Sequence, residues 1–370
     1  VQEASSMFLH EVLRQAGVLG RKCRVLDLAA APGGKSTLIA SALSGTGMLV
    51  ANETIRKRIG PLRHNLTKWG YANVMVTNHD PMDFSPALRG FFDVVCVDAP
   101  CSGEGLFRKA PRAAGEWSVA RVAHCSARQK RILREAVQLL APGGCLIYST
   151  CTYNNRENDG NMEWMPGQGR LEPVSLTVPK EWGIVKTGFG YQFYPHRLKG
   201  EGFYIAVLKK NEGTERKRGR GRLPDGLSRL TKKEREQLRP WIARPEDFSF
   251  YKKPDNALVA VPREWESDFL EVARPLRRRS FGLPVGTFKG GQLVPAHELA
   301  LSLHVNSGVP AIELDLEQAL LFLKKQPFAP GGAQKGWHLV RYRGFSLGWA
   351  KLLGHRFNNY LPNEWRIRMA

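Results

Sequence analysis

"LDLAAAPGGKSTLIASAL", residues 26–43, decides how the first half of the chain is read. Gly34-Lys35-Ser36 looks like the close of a phosphate loop, which asks for another glycine at position 29. Position 29 is alanine. Without that glycine the backbone lacks the freedom to curl around a phosphate, so the pattern is half made. What remains is a strand reaching Asp27, a Gly33-Gly34 turn, and a helix from about Lys35 whose first amides face the strand ends. Glu53 closes a second strand, "MLVANE" (48–53), and Asp80 a third, "ANVMVTNHD" (72–80). A carboxylate at the first place can accept both hydroxyls of a ribose. One at the second can accept from an adenine amino group. A phosphate loop has no use for that pair, so a nucleoside-type cofactor is expected rather than a hydrolysed nucleotide.

Further strand-like runs follow at "FDVVCVDAP" (92–100), "GGCLIYST" (143–150) and "GFYIAVLKK" (202–210). Between the second and third strands, "TIRKRIGPLRHNLTKWG" reads as a helix with a proline near its start or a kink. Between the fourth and fifth, "SVARVAHCSARQKRILREAVQLLAPGG" reads as an amphipathic helix ended by Pro-Gly-Gly. Short apolar strands alternating with helices imply an α/β domain with ligands at the carboxyl ends of a parallel sheet. That domain is expected over residues 1–210. A basic, Gly-rich flexible linker covers 211–226, a small mixed α/β region 227–275, and a β-rich domain 276–370.

Composition narrows the partners. The chain has 370 residues, 42% hydrophobic and 24% charged, with a net charge of +21. Such a charge supplies salt-sensitive affinity for a polyanion, and nucleic acid is expected over a membrane surface because no amphipathic anchor is evident. No apolar run approaches the roughly 20 residues needed to cross a bilayer. The chain opens on Val1 without the features of a signal peptide, so its start reads as a cut inside a longer protein. Six cysteines are scattered, none in a C-x-x-C pair. No metal site is expected from them, and a reduced, cytoplasmic chain is. Nothing in the pattern asks for an obligate dimer, and a monomer is expected.

Cys101 and Cys151 stand apart from the other cysteines. "VDAPCSGEGLFRK" (97–109) and "YSTCTYNNREN" (148–158) follow neighbouring strands onto the ligand-binding edge. Each cysteine sits in a polar, turn-forming string. Together with "AAAPGGKST", these segments resemble three signatures of the Nop/Sun family of RNA (cytosine-5) methyltransferases, which includes bacterial RsmF-type ribosomal RNA enzymes. The opening "VQEASSM" is similar to the segment that precedes the cofactor domain in that family. The end, "KGWHLVRYRGFSLGWAKLLGHRFNNYLPNEWRIR", resembles the PUA-like RNA-binding tail of RsmF-type members.

The resemblance implies a Rossmann-like class I methyltransferase domain with a mostly parallel seven-stranded sheet, and a PUA-like domain at 276–370. It implies S-adenosylmethionine as cofactor, held by Ala29, Ala30, Ala31, Pro32, Gly33, Gly34, Lys35, Glu53, Asp80 and Asp98. Cys151 would be the nucleophile and Cys101 the residue that releases product. The family's N-terminal extension lies outside the sequence given. Where relatives often carry a second Glu, this chain has Asp159, with little consequence expected.

The chemistry explains those residue types. Carbon 5 of cytosine is too electron-poor to attack a methyl sulfonium, and a thiolate adding to carbon 6 makes it nucleophilic. A helix beginning in "NNREN" would favour the Cys151 thiolate over the ordinary thiol value of about 8.5. Cys101, or a water it positions, would take the carbon 5 proton. Asp98 would pair with the cytosine ring nitrogen and activate the base. Lys35 either caps the loop or orients the base. The target cytosine must be unpaired or flipped out.

Arg108 and Lys109, near Cys101, are candidate phosphate contacts. So are Arg277, Arg278 and Arg279. With Trp337, Tyr342 and Trp349 these could form a stacking surface, though the aromatics equally suit a small core, Trp349 above all. The expected substrate is ribosomal RNA or the small ribosomal subunit, most simply 16S RNA. The alternatives are a transfer RNA cytosine-5 methyltransferase or a non-catalytic RNA-binding assembly factor, and a pure binder would need neither thiol.

Overall fold

The apolar runs of the first half form β1 (Arg24–Asp27), β2 (Met48–Asn52), β3 (Val74–Thr77), β4 (Phe92–Asp98) and β5 (Leu140–Thr150) in the computed structural model. It describes residues 2–168, 170–211, 213, 216, 222–328, 334–353 and 356–368. All five residues of β2 are buried, as a strand covered on both faces by helices requires. β6 (Leu171–Pro173), β7 (Val185–Lys186), β8 (Gly190–Phe193) and β9 (Phe203–Lys210) complete the sheet. The nine strands run in the order β3-β2-β1-β4-β5-β9-β8-β7, with β6 paired to β9.

From β3 to β5 every pairing is parallel, whereas β6, β7, β8 and β9 are antiparallel additions. The seven strands anticipated from the resemblance thus become nine through two short ones, β6 and β7. The chain reverses direction in strand order between β1 and β4, the switch point where open α/β sheets bind ligands. The helices run Gly34–Leu43, Ile59–Trp69 and Val119–Leu139. Pro61 falls in the first turn of the second, where its missing N–H costs no helical bond.

The chain forms two compact units. The first is Val1–Asn65, Val74–Gly221 and Glu271–Ser280; the second is Leu66–Asn73, Arg222–Leu270 and Phe281–Ala370. The second unit carries an antiparallel sheet, β10 (Ser228–Arg229), β11 (Phe248–Lys252), β12 (Ala257–Pro262), β13 (Leu283–Lys289) and β14 (Gln292–Pro295). It also carries β15 (Ala311–Glu313), β16 (Gly336–Tyr342), β17 (Phe345–Leu353) and β18 (Arg356–Asn359). Trp349 is fully buried, and its indole N–H donates to the Ala296 carbonyl at 2.7 Å. Trp337 is only partly buried, against Tyr360 at 4.4 Å between ring centroids.

Two boundaries differ from the sequence reading. The β10–β14 sheet runs across residue 275, so the region before it and the β-rich part after it share strands. Residues 271–280, expected to span the end of the mixed region and the start of the β-rich domain, instead belong to the first unit. There Asn78 N–H donates to the Arg278 carbonyl at 2.9 Å, and Ser280 N–H to that of Val76 at 2.8 Å. The segment lies along β3 and covers the otherwise open edge of the sheet. Of the linker expected at 211–226, residues 212, 214, 215 and 217–221 lie outside the described residues. Among the described residues no helix is long and apolar enough to cross a membrane.

Candidate active site

The carboxyl ends of β1 and β2 build the first half of the site. Asp27 is buried and accepts from the Ser36 hydroxyl at 2.6 Å, tying the strand end to the following helix. Burial pushes its carboxyl up to about 7, against the pull of Ser36. The turn passes through a cis Ala31-Pro32 peptide to Gly33, whose φ of +113° is open to glycine and strained for other residues. A Cβ on Gly33 would also meet Leu62 Cδ1 at 3.3 Å. Ala30 N–H donates to the Asn52 carbonyl at 2.7 Å, and the Arg58 guanidinium donates to the carbonyl of Ala31. Residues 29–35 therefore form a held backbone rim at the start of the helix.

Glu53 sits beside that rim and is only 3% exposed. Its Oε1 accepts from Ile55 N–H at 2.8 Å. Its Oε2 is buried without a hydrogen-bond donor, although the Arg58 guanidinium lies 3.3 Å away. A buried carboxylate oxygen with spare acceptor capacity at this strand end suits a vicinal diol. Asp80 is more committed. Its Oδ1 accepts from Met82 N–H at 3.1 Å, and its Oδ2 lies 3.6 Å from Arg131.

β4 and β5 build the second half. Asp98 pairs in register with Ser149, so the loops that follow leave the sheet side by side. The Ser149 hydroxyl and the Lys35 ammonium each donate to Asp98, on separate oxygens, at 2.8 Å. Burial opposes the Lys35 charge, but the Asp98 carboxylate outweighs it and raises the ammonium's pKa. Cys101 and Cys151 meet with their sulfurs 3.2 Å apart.

The two thiols have unlike surroundings. Cys101 is hydrogen-bonded to Cys151 and half-buried near the Glu157 carboxylate, which together hold its pKa well above the thiol range. Cys151 accepts that hydrogen bond and feels the Lys35 charge, so its pKa is lowered despite burial and Asp98. The pair is polarised, with Cys151 the more acidic thiol and Cys101 the less acidic. Limited alkylation with iodoacetamide at neutral pH should therefore label Cys151 before Cys101 in peptide mass spectra. The reverse order would contradict this polarity.

A helix end does not assist Cys151. The helix anticipated in "NNREN" begins only at Asp159, and the residues before it form a turn. Lys35 supplies the positive charge instead. Its ammonium reaches Asp98 at 2.8 Å, so it does more than cap the loop.

Several supporting residues were missed in the sequence although they lie inside or beside the quoted strings. Glu157 is fully buried and accepts from Ser102 N–H at 3.0 Å and Gln129 Nε2 at 2.7 Å; Gln129 also donates to the Pro100 carbonyl at 3.0 Å. Asn158 donates to the Thr152 carbonyl and to Gln192 Oε1, both at 3.0 Å. Gly105 N–H donates to the Cys151 carbonyl at 2.9 Å, and a Cβ there would stand 2.6 Å from the Gly202 carbonyl oxygen. These contacts clamp the two cysteine loops together. Asp159 is also more engaged than anticipated, accepting from Tyr204 at 2.6 Å, Thr187 at 2.8 Å and Gly188 N–H at 2.9 Å.

The basic candidates fall in separate places. Arg108 donates to the Gly200 carbonyl and to Glu201, both at 3.1 Å, while Lys109 is exposed. Arg277 and Arg278 are exposed. The backbone N–H of Arg278 donates to His79 Nε2 at 3.1 Å. Arg279 is half-buried, and burial lowers its pKa. All three lie along β3 in the first unit, not with Trp337, Tyr342 and Trp349 in the second. Among the described residues no group of three or more His, Cys, Asp or Glu could hold a metal.

Comparisons with known proteins agree on the kind of protein. The family model "16S rRNA methyltransferase RsmB/F" matches residues 20–209, and "Methyltransferase RsmF PUA domain" matches 309–367. Ribosomal RNA small subunit methyltransferase F of Aeromonas salmonicida is 34% identical, over 98% of this chain and 78% of its own. The protein of the same name from Aliivibrio fischeri is 32% identical over the same shares. A solved structure of NSun6 from Pyrococcus horikoshii with SFG is 30% identical at a TM-score of 0.50, covering 57% of this chain and 53% of its own.

Proposed function

The chain belongs to the RsmB/F family of 16S ribosomal RNA methyltransferases, and on that premise we propose that it methylates carbon 5 of a cytosine in 16S RNA through a covalent bond from Cys151. The observation that carries this reading is the meeting of two cysteine sulfurs at 3.2 Å, beside a Lys35–Asp98 pair, at the carboxyl edge of the sheet. S-adenosylmethionine supplies the electrophilic methyl group. The rim at 29–35 and the spare acceptor on Glu53 fit its nucleoside, and the Pyrococcus relative's SFG is an analogue of it.

The chain's own residues divide the remaining work. Cys151, held as thiolate by Lys35, adds to carbon 6, and the ring electrons move to carbon 5. Asp98 pairs with the ring nitrogen and so assists the addition by answering the charge that develops there. After methyl transfer, Cys101 or a water it positions takes the carbon 5 proton. The electron pair of that C–H bond restores the ring double bond and expels Cys151 as thiolate. The Glu157–Ser102–Gln129 contacts keep the Cys101 loop against Cys151 throughout, so the two sulfurs address one base.

The second unit supplies RNA contacts, and the enzyme works as a cytoplasmic monomer. Digestion of 16S RNA after transfer of labelled methyl should give 5-methylcytidine as the labelled nucleoside. Label in any other nucleoside would sink the carbon 5 assignment. Labelled transfer RNA in place of 16S RNA would move the substrate.

A further inference from the structure

The helix Val119–Leu139 turns an unusual face to solvent. Its sequence, VARVAHCSARQKRILREAVQL, holds Arg121, Arg128, Lys130, Arg131 and Arg134 against Glu135 as the lone acid. Arg121, Arg128, Arg131 and Arg134 are exposed at spacings of seven, three and three, which places them along one side of the helix. From Arg121 to Arg134 the row is about 20 Å long. A face kept only for solubility interleaves opposite charges at such spacings, because like neighbours repel. Here Glu135 is already engaged by the Ser85 hydroxyl. The local partners are few: Arg121 pairs with Glu116 at 3.0 Å, and Arg131 lies 3.6 Å from Asp80.

The far ends of Lys130 and Arg134 lie over the Trp164 ring, at 5.4 and 5.1 Å from its centroid. Ring contact restricts these long side chains before any ligand arrives, so less freedom is lost on binding. The opposite side of the helix touches both cysteine loops. Gln129 donates to the Pro100 carbonyl at 3.0 Å, and the Ser126 hydroxyl to that of Arg156 at 3.2 Å. Arg156 is itself exposed, five residues beyond Cys151.

We propose that the Arg121–Arg128–Arg131–Arg134 row of this helix, with the exposed Arg156 of the loop that Ser126 holds, is a docking track for the phosphate backbone of the RNA strand that carries the target cytosine. This rests on the ribosomal RNA reading above and assigns it a surface. A row of exposed guanidinium groups in excess of the carboxylates beside it matches a chain of phosphates in charge and geometry. Through Gln129 and Ser126 the same helix holds the backbone of both cysteine loops, so one element positions the docking face and the loops that carry the sulfurs.

The test is binding of in vitro-transcribed 16S RNA to the full chain, by filter retention at salt between about 50 and 200 mM. Arg128→Gln/Arg134→Gln is compared with wild type and with Lys180→Gln/Lys186→Gln, which removes equal charge from another exposed part of the first unit. Two lost phosphate contacts should lower the slope of log K against log salt by about 1.4, and Arg128→Gln alone by about 0.7. The KM for RNA should rise while kcat at saturating RNA is kept. An unchanged slope, or an equal change in the lysine control, overturns the proposal. Loss of binding to phosphatidylglycerol vesicles with the RNA slope intact also overturns it, assigning the row to a lipid surface. If the wild type shows the arginine-dependent slope but transfers no methyl, the track stands and the reaction reading fails.

Discussion

Cys151→Ser is expected to lower methyl transfer to 16S RNA by at least about 10³-fold, with RNA binding retained. Serine keeps the size of the side chain but not its chemistry. A hydroxyl beside Lys35 remains protonated at neutral pH and offers no general base to activate it, whereas the Cys151 thiol is already shifted toward thiolate. Carbon 5 then lacks the electron density to attack the methyl group, however well the RNA docks. The check is single-turnover transfer of labelled methyl at saturating RNA. Transfer within a few-fold of wild type would show that carbon 6 needs no thiolate adduct from this residue.

Glu53→Ala should raise the Kd for S-adenosylmethionine by about 10²-fold. One oxygen of Glu53 is buried without a hydrogen-bond donor, and a carboxylate that gains hydroxyl partners contributes roughly 1.5–3 kcal/mol through each charged bond. The fold should tolerate the change, because Arg58, the ion-pair partner, keeps half its side chain in water. Isothermal titration with S-adenosylhomocysteine measures the effect without turnover. An unchanged Kd would remove Glu53 from the cofactor site. Alanine at Asp80 should cost less, since Asp80 already caps the Met82 turn with one oxygen.

How much of this was readable beforehand depends on the kind of contact. β1 to β5 were legible because parallel strands buried on both faces appear as uninterrupted apolar runs. β8, "GYQF", was not, since its buried Gln192 reads as polar until Asn158 and the Phe203 carbonyl are seen to satisfy it. The cysteines were found by the strings that contain them. Their meeting follows from the register that sets Asp98 beside Ser149.

Glu157 and Gln129 escaped notice because a buried carboxylate clamp is defined by partners distant in sequence. The segment holding Arg277, Arg278 and Arg279 was misplaced for the same reason. Its pairing with Val76 and Asn78 spans some two hundred residues, and nothing local marks it. The place of Glu53, one residue past β2, was legible because the end of a strand is a fixed place in this architecture.

If Cys151 bonds to cytosine and Cys101 frees it, removing the Cys101 thiol should trap the bond. Cys101→Ser, incubated with S-adenosylmethionine and a 16S RNA fragment, should leave a protein–RNA adduct that survives a denaturing gel. Peptide mass spectrometry of that band should place a methylated cytosine on Cys151. An adduct on another residue, or normal turnover without any adduct, would contradict the account.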